Sequence, residues 1–413
     1  MTNLELFIQV LIALILIIAM AQLMGKAITY IGQPAVVGEM IAGVLLGPTL
    51  LGYFIPGFSS WILPKEIMPS LFVISNLGIS MYMFLIGAEL DLKLFNKKTV
   101  KDASALTVAA ILFPFLAGGL AAILFNDEIN GMNIDKTSMF IFLGSALSIT
   151  AFPMLARILQ EKNIVNSRIG LLSILSASIQ DIFSWILLGI VVVMCTGKNY
   201  SSIVLMLAGT LVLTGLLFYV VRPLLSKRAE KVHRYEDLSR ANFAIVILLL
   251  LASALFTDVL GLHSVFGGFI LGLSLPRKSF FIGAISMRIK DFTLIALLPV
   301  FFTFSGLNTN LLHLGEFNLL VPTIVIFLFA FASKYLSCTF TMRYVSGFSW
   351  SESSAIGGLL NSRGLMELII ANIGLTYGLI NTDLYSILVL VAVGSTLAAL
   401  PIYNLSMRNK VPD

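Results

Sequence analysis

The chain has 413 residues, of which 58% are hydrophobic and only 11% charged, and its mean hydropathy is +0.99. Globular domains carry roughly 45–50% apolar and about 25% charged residues, so a water-soluble protein could not cover its surface with so few charges. A polytopic, all-α membrane protein remains; disorder, a coiled coil, a disulfide-stapled secreted domain and a nucleic-acid binder are excluded, and the net charge of +5 is read through topology.

A helix crossing the hydrocarbon layer needs about 20 apolar residues. Taken in chain order, such runs predict about thirteen spans, over roughly 4–24, 34–52, 68–88, 102–125, 138–159, 168–196, 202–222, 241–260, 262–276, 290–307, 318–343, 353–379 and 384–407. The first run lacks a basic leader and a small-residue cleavage site, so it reads as a span and not a signal peptide. The second and ninth are rich in glycine. The longest polar stretch, Ser226 to Arg240, reads as a solvated loop. Cys195 and Cys338 lie at or inside apolar runs and behave as small hydrophobes.

Lys and Arg bias loops to the cytoplasm. With the N-terminus outside, cytoplasmic segments hold 21 basic residues, including Lys98, Arg157 and Arg168, while external segments hold only Lys65, Lys136 and Lys198. The asymmetry implies a multi-pass cell-membrane protein with a cytoplasmic C-terminus. Lys334 and Arg363 fall within spans.

The second run reads Gly32-Gln-Pro-Ala-Val-Val-Gly38-Glu-Met-Ile-Ala-Gly43. The ninth reads Gly261-Leu-His-Ser-Val-Phe-Gly267-Gly-Phe-Ile-Leu-Gly272, with the same glycine spacing. The following runs end in Gly87-Ala-Glu-Leu-Asp-Leu and Gly306-Leu-Asn-Thr-Asn-Leu. Residues 34–196 and 262–407 therefore read as two copies of a five-helix unit. An odd number of spans per copy turns them in opposite directions, as in secondary transporters.

The fifth run carries Pro153 near its middle, which removes a backbone hydrogen bond. The twelfth carries Gly357-Gly358 and then Asn361-Ser-Arg-Gly364. Breaks at matching places in two halves point to a transport site, because freed carbonyls and helix ends coordinate ions; a single break reads equally well as a tolerated kink. Ionisable residues at depth narrow the search. Asp181 lies mid-span, where a carboxylate costs at least about 2.5–3.5 kcal/mol, and nothing adjacent in sequence pairs with it. Ser173, Ser176, Gln180 and Ser184 form a polar face around it, with Ser178 one turn before. Lys334 reads either as a counter-charge, for half-helix carbonyl ends or for Asp181, or as a proton carrier. Arg363 and Glu367, four apart, read as a structural pair that neutralises the ends of the broken helix. Glu39 reads as a capping or gating charge near the cytoplasmic surface.

Gly32-Gln-Pro-Ala-Val-Val-Gly-Glu-Met-Ile-Ala-Gly-Val-Leu-Leu-Gly-Pro48 resembles the second helix of the monovalent cation:proton antiporter-2 family. Ser145-Ala-Leu-Ser-Ile-Thr-Ala-Phe-Pro-Met-Leu-Ala-Arg-Ile-Leu159 and Asn361-Ser-Arg-Gly-Leu-Met-Glu-Leu-Ile-Ile-Ala-Asn-Ile-Gly374 are similar to stretches of plant cation/proton exchangers. Gln180-Asp181 resembles the Gln-Asp pair of glutathione-gated potassium efflux systems. The resemblance implies a thirteen-helix fold with a dimerisation panel, an elevator-like core with two crossed broken helices, and a homodimer. It implies that Asp181 carries a monovalent cation or a proton, that Thr150 offers oxygens, and that Lys334 is the basic residue facing the site. Gln180 stands where two-carboxylate members have a first Asp, which suggests one proton per cation and electroneutral exchange. The soluble regulatory domain of the efflux systems is expected to be absent.

The expected function is K⁺ or Na⁺ exchange for H⁺, with the ions as substrates, membrane lipids as surroundings and no cofactor. The alternative is a ligand-gated, channel-like K⁺ efflux protein. An intramembrane enzyme is disfavoured: His233, His263 and His313 are scattered, and neither His-Glu-x-x-His nor Gly-x-Ser-x-Gly occurs.

Overall fold

The computed structural model describes residues 2–89, 97–125, 135–165, 167–196, 201–262, 264–307 and 317–408, and among them all regular structure is helical. In chain order, α1 (Asn3–Tyr30) leads into α2 (Ala35–Leu46), which stops short of the expected 52. Pro48 disfavours a helical residue before it, and Gly47 is extended with ψ −168°. Two short helices, Leu51–Phe54 and Pro56–Ile62, precede α3 (Met68–Glu89) and α4 (Lys97–Leu124).

Then come α5 (Lys136–Ser148), α6 (Phe152–Glu161) and α7 (Arg168–Thr196). Next, α8 (Ser201–Leu216) runs through a π turn at Leu217–Val221 into α9 (Arg222–Ala229). The stretch 226–240 is thus partly helical: it finishes α9 and adds a single turn at Tyr235–Asp237, where Asp237 accepts from the His233 and Arg234 N–H groups.

After α10 (Arg240–Val259) and α11 (Ser264–Ser274), α12 (Ser279–Phe292) continues through a second π turn into α13 (Leu298–Leu307). This helix starts well before the expected residue 290, since Arg288 and Lys290 end an apolar run without ending a helix. The chain closes with α14 (Phe317–Tyr344), α15 (Trp350–Leu359), α16 (Leu365–Thr376) and α17 (Thr382–Met407). By length and apolarity, eight helical stretches of the described residues suffice to cross a membrane.

The chain divides into two compact units. Met1–Ala19, Ser60–Leu92 and Lys198–Phe304 form one; Met20–Ser59, Lys93–Gly197 and Ser305–Asp413 form the other. In the first unit, Gly261 has φ +86°, the Leu262 N–H donates back to Thr257, and α11 then returns along α10 so closely that a Cβ on Gly267 would overlap the Ser253 carbonyl. Gly87 of α3 meets the backbone of α11 at Gly272, and Arg277 caps α3 by donating to Ala88 O at 2.6 Å.

In the second unit, Gly32 has φ +78°, the Gln33 N–H donates back to Ile28, and a Cβ on Gly38 would overlap the Met24 carbonyl. Gly306 meets the α2 backbone at Gly43. Each glycine turn is the αL termination that residues with a Cβ adopt only at a cost. In this unit α4 packs on α5 and α14, and α15 lies between α14 and α17. Gly118 of α4 faces the backbone at Leu143 and Gly144 of α5, and the rings of Phe115 and Phe140 meet edge to face at 5.8 Å.

Candidate functional site

Every polar contact described here lies within the second unit. The fifth segment breaks over Ile149–Ala151, which are extended, so α5 ends at Ser148 and α6 begins at Phe152. Pro153 therefore does not interrupt a continuous helix; it stands in the first turn of α6, where its missing N–H has no intrahelical acceptor to lose. The twelfth segment breaks over Leu360–Gly364. Gly357 and Gly358 are not part of that break. They are helical residues of α15, and their bare Cα atoms admit Tyr335 and Ile402.

The two breaks touch. The Ala151 N–H donates to Ser362 O at 3.1 Å. The Thr150 hydroxyl lies 2.8 Å from Gln180 Oε1 and 3.0 Å from Leu360 O, bridging both breaks to α7. Asn361 turns its amide back onto Gly357 O at 3.0 Å, and the Ser362 hydroxyl donates to Leu359 O at 2.6 Å, so both satisfy carbonyls at the end of α15. Gly364 adopts φ +155°, ψ −110°, a region open essentially to glycine alone. The Arg363 backbone is clasped by Thr396, which receives its N–H at 2.9 Å and donates to its carbonyl at 2.7 Å.

Asp181 lies at this crossing and is 1% exposed. Neither carboxylate oxygen has a hydrogen-bond partner among the described residues. The Phe152 N–H, at the positive end of α6, is the backbone donor that faces it, and Lys334 is the cation whose field reaches it. Lys334, fully buried, donates from Nζ to Ser148 O at 2.8 Å and so caps the C-terminal end of α5. Gln180 is tied on both sides: it accepts from Thr150, and its Nε2 donates to Ser176 Oγ at 3.0 Å. Ser178 spends its hydroxyl on Ile174 O, and Ser184 spends its own on Gln180 O, each at 2.8 Å. Ser173 and Ser145 are buried with hydroxyl oxygens that have no partner among the described residues.

Arg363 NH1 stands 3.6 Å from Glu367 Oε2, both fully buried, and NH2 donates to Ala330 O at 2.8 Å. Glu367 occupies the first turn of α16, where a negative charge complements the helix dipole. Glu39 is buried within the protein, and its carboxylate meets Arg157 of α6 at 3.0 Å.

Two of these partners escaped the sequence reading. Arg157 counts there only as a cytoplasmic cation, because its partner Glu39 lies on a helix far away in sequence. Thr107 of α4 lies 3.1 Å from both the Ser176 carbonyl and hydroxyl. It extends the polar chain to Thr107, Ser176, Gln180 and Thr150; a single hydroxyl in an apolar helix gives no sign of this. His263, His313 and the Asn308–Asn310 stretch lie outside the described residues, as does the Cys195 side chain; Cys338 is a buried free thiol.

The arrangement offers one buried carboxylate, two pairs of half-helix ends and a buried ammonium. Chemically, such a set suits a small cation or a proton. A protein-family model for the transmembrane sodium/hydrogen exchangers matches residues 10–402. The Na(+)/H(+) antiporter NhaS4 of Synechocystis sp. is 34% identical over 392 residues, covering 94% of this chain and 95% of that protein. The K(+)/H(+) antiporter 1 of Saccharomyces cerevisiae is 33% identical over 96% of the chain, and Cation/H(+) antiporter 15 of Arabidopsis thaliana is 33% identical over 90%. The chain spans about half the length of those two relatives, 46% and 45%. Among solved structures, the sodium proton antiporter MjNhaP1 from Methanocaldococcus jannaschii superposes with a TM-score of 0.67 over 97% of each chain at 16% identity, a likeness of fold.

Proposed function

Because this chain belongs to the sodium/hydrogen exchanger family, we propose that it exchanges a monovalent cation, K⁺ or Na⁺, for H⁺ across the cell membrane. The family is one of transporters, and the chain is not an enzyme. The observation that carries this reading is Asp181: a buried carboxylate whose oxygens make no hydrogen bond to another side chain, where two broken helices meet. A bare anion in such a place is costly. A proton relieves the cost, and so does a partly dehydrated cation, and one carboxylate cannot hold both. Competition for Asp181 couples the two flows, with no cofactor.

Around Asp181 each neighbour has a part. Thr150 and the carbonyls freed at the breaks supply oxygens to the cation, with Gln180 and Ser178 beside them. Lys334 holds the end of α5 and balances the site's charge, while Arg363 and Glu367 brace the second break. Pro153, Asn361 and Gly364 keep the breaks open. With neutral Gln180 next to Asp181, one proton exchanges for one cation. Alternating access follows an elevator scheme, in which the part carrying Asp181 crosses with its cargo once that charge is neutralised.

The fold behind this has about thirteen spans with the N-terminus outside, two inverted repeats over residues 34–196 and 262–407, and a homodimer. The glycine turns at Gly32 and Gly261 and the close contacts at Gly38 and Gly267 support the repeat.

The test is ion-driven dequenching of a pH dye in proteoliposomes with K⁺, Na⁺, Li⁺ and Rb⁺. Wild type is expected to exchange protons for at least one of these, and Asp181→Asn to fall to the protein-free background. Full exchange by Asp181→Asn overturns the assignment. Turnover far above roughly 10³ per second, the upper end of typical values, overturns it in favour of a channel.

A further inference from the structure

A second site lies in the second unit, about 20 Å along the α7 axis from Asp181, counting 1.5 Å per residue from Arg168. A cavity of about 860 Å³ opens there at the N-terminal ends of α4 and α7, lined by Lys98, Thr99 and Asp102 of α4, Arg168 and Leu171 of α7, and Phe348. Its charges are ordered by depth. Lys98 and Arg168 are exposed at the rim, whereas Asp102 is only 9% exposed and meets no donor or cation among the described residues. The Arg168 guanidinium carbon lies over the Phe348 ring, 4.0 Å from its centre, so that aromatic face is already taken.

The cavity also sits at a chemical boundary. Lys97, Lys98, Lys101 and Asp102 crowd the first turns of α4, and no charged residue follows in that helix as far as Leu124. Arg168 likewise precedes an uncharged run in α7. Such boundaries lie at the depth of lipid headgroups. Beyond the cavity, Val108 and Leu112 of α4 are exposed apolar side chains on which acyl chains can lie.

We propose that this cavity binds, head first, a phospholipid whose headgroup ends in a primary amine linked to its phosphate by two carbons. The ammonium reaches Asp102 at the floor, and the phosphodiester stays at the rim between Lys98 and Arg168. Rim cations and a floor carboxylate match a headgroup that is negative in the middle and positive at its tip. A primary ammonium donates hydrogen bonds to Asp102. A quaternary ammonium donates none, and the aromatic face that would suit it is covered by Arg168.

The test is native mass spectrometry of the purified full chain released from micelles doped with equal phosphatidylethanolamine, phosphatidylcholine and phosphatidylglycerol, with synthetic N-methylated ethanolamine lipids as a graded series. Wild type is expected to retain one ethanolamine lipid per chain, about tenfold over the choline lipid, the scale of one charge-assisted hydrogen bond, with retention falling at each added methyl. Asp102→Asn should erase that preference while still retaining phosphatidylglycerol. Lys98→Gln with Arg168→Gln should lower retention of all three, which gives a second reading if Asp102→Asn is unstable. Competition by soluble phosphoethanolamine separates headgroup binding from binding that needs the acyl chains. Equal retention of ethanolamine and choline lipids by wild type, or an unchanged preference in Asp102→Asn, overturns the proposal.

Discussion

At the level of single residues, the site depends on hydroxyl and amide groups that spend their hydrogen bonds away from Asp181. Thr150 makes this concrete, because its one hydroxyl serves two buried acceptors, Gln180 Oε1 and Leu360 O. Thr150→Val keeps the shape and removes the donor, leaving both acceptors unsatisfied at a cost of about 1–3 kcal/mol. The expected result is a lower melting temperature in detergent and weaker cation affinity in the dequenching assay. Thr150→Ser restores both; equal behaviour of the Val and Ser variants would show that the hydroxyl is idle. The deep charges could be read from sequence because a charge inside an apolar run stands out whatever the fold. Thr107 could not, since its role exists only through Ser176 on another helix. Glu39 was visible, but its partner Arg157 lies far away in sequence, and only the packing of α2 and α6 brings the two together.

Among the elements, the broken helices are the ones whose ends need support. Lys334 caps α5, Asn361 and Ser362 cap α15, and Glu367 opens α16. The α2–α6 pair is testable by a double-mutant cycle. Removing either partner of Glu39–Arg157 takes away one half of a part-buried ion pair, a loss of about 1–3 kcal/mol, whereas Glu39→Gln with Arg157→Gln should lose less than the sum of the single changes. Additive melting shifts would show that the pair is not coupled.

At the other end of α5, Asp135 accepts from the Ser138 hydroxyl and N–H, and those bonds hold its carboxyl below the ordinary aspartate range. Its stabilisation is present above the unfolded-state pKa and disappears as pH falls through the lower folded one. The melting difference between wild type and Asp135→Ala should therefore be seen at neutral pH and close in acid. The position of both breaks was legible in sequence from Pro153 and Gly364, but their limits were not. Proline marks the start of a helix as readily as its interruption, and Gly357-Gly358 turned out to serve close packing inside α15.

On the scale of the whole molecule, all-helical architecture follows from composition, and the paired glycines carry the proposed repeat. Gly38→Val and Gly267→Val should each force a helix pair apart and destabilise by about 1–3 kcal/mol or more. Gly215→Ala in α8, where a Cβ meets nothing within 4 Å, should be neutral or slightly stabilising.

Coupling between the two ion flows is the last property at this scale, and it turns on counting charges. One carboxylate accepts one proton or one cation, so the loaded forms carry the same charge in both directions provided Lys334 keeps its proton throughout. Its Nζ donates to Ser148 O at the negative end of α5, a place that favours the ammonium form. Exchange is then expected to be indifferent to an imposed membrane potential, and Lys334→Gln should lower stability while leaving that indifference unchanged. Proteoliposomes clamped with an ionophore at several potentials measure this directly. A rate that follows the potential in wild type and loses that dependence in Lys334→Gln would make Lys334 a second proton carrier and the exchange electrogenic.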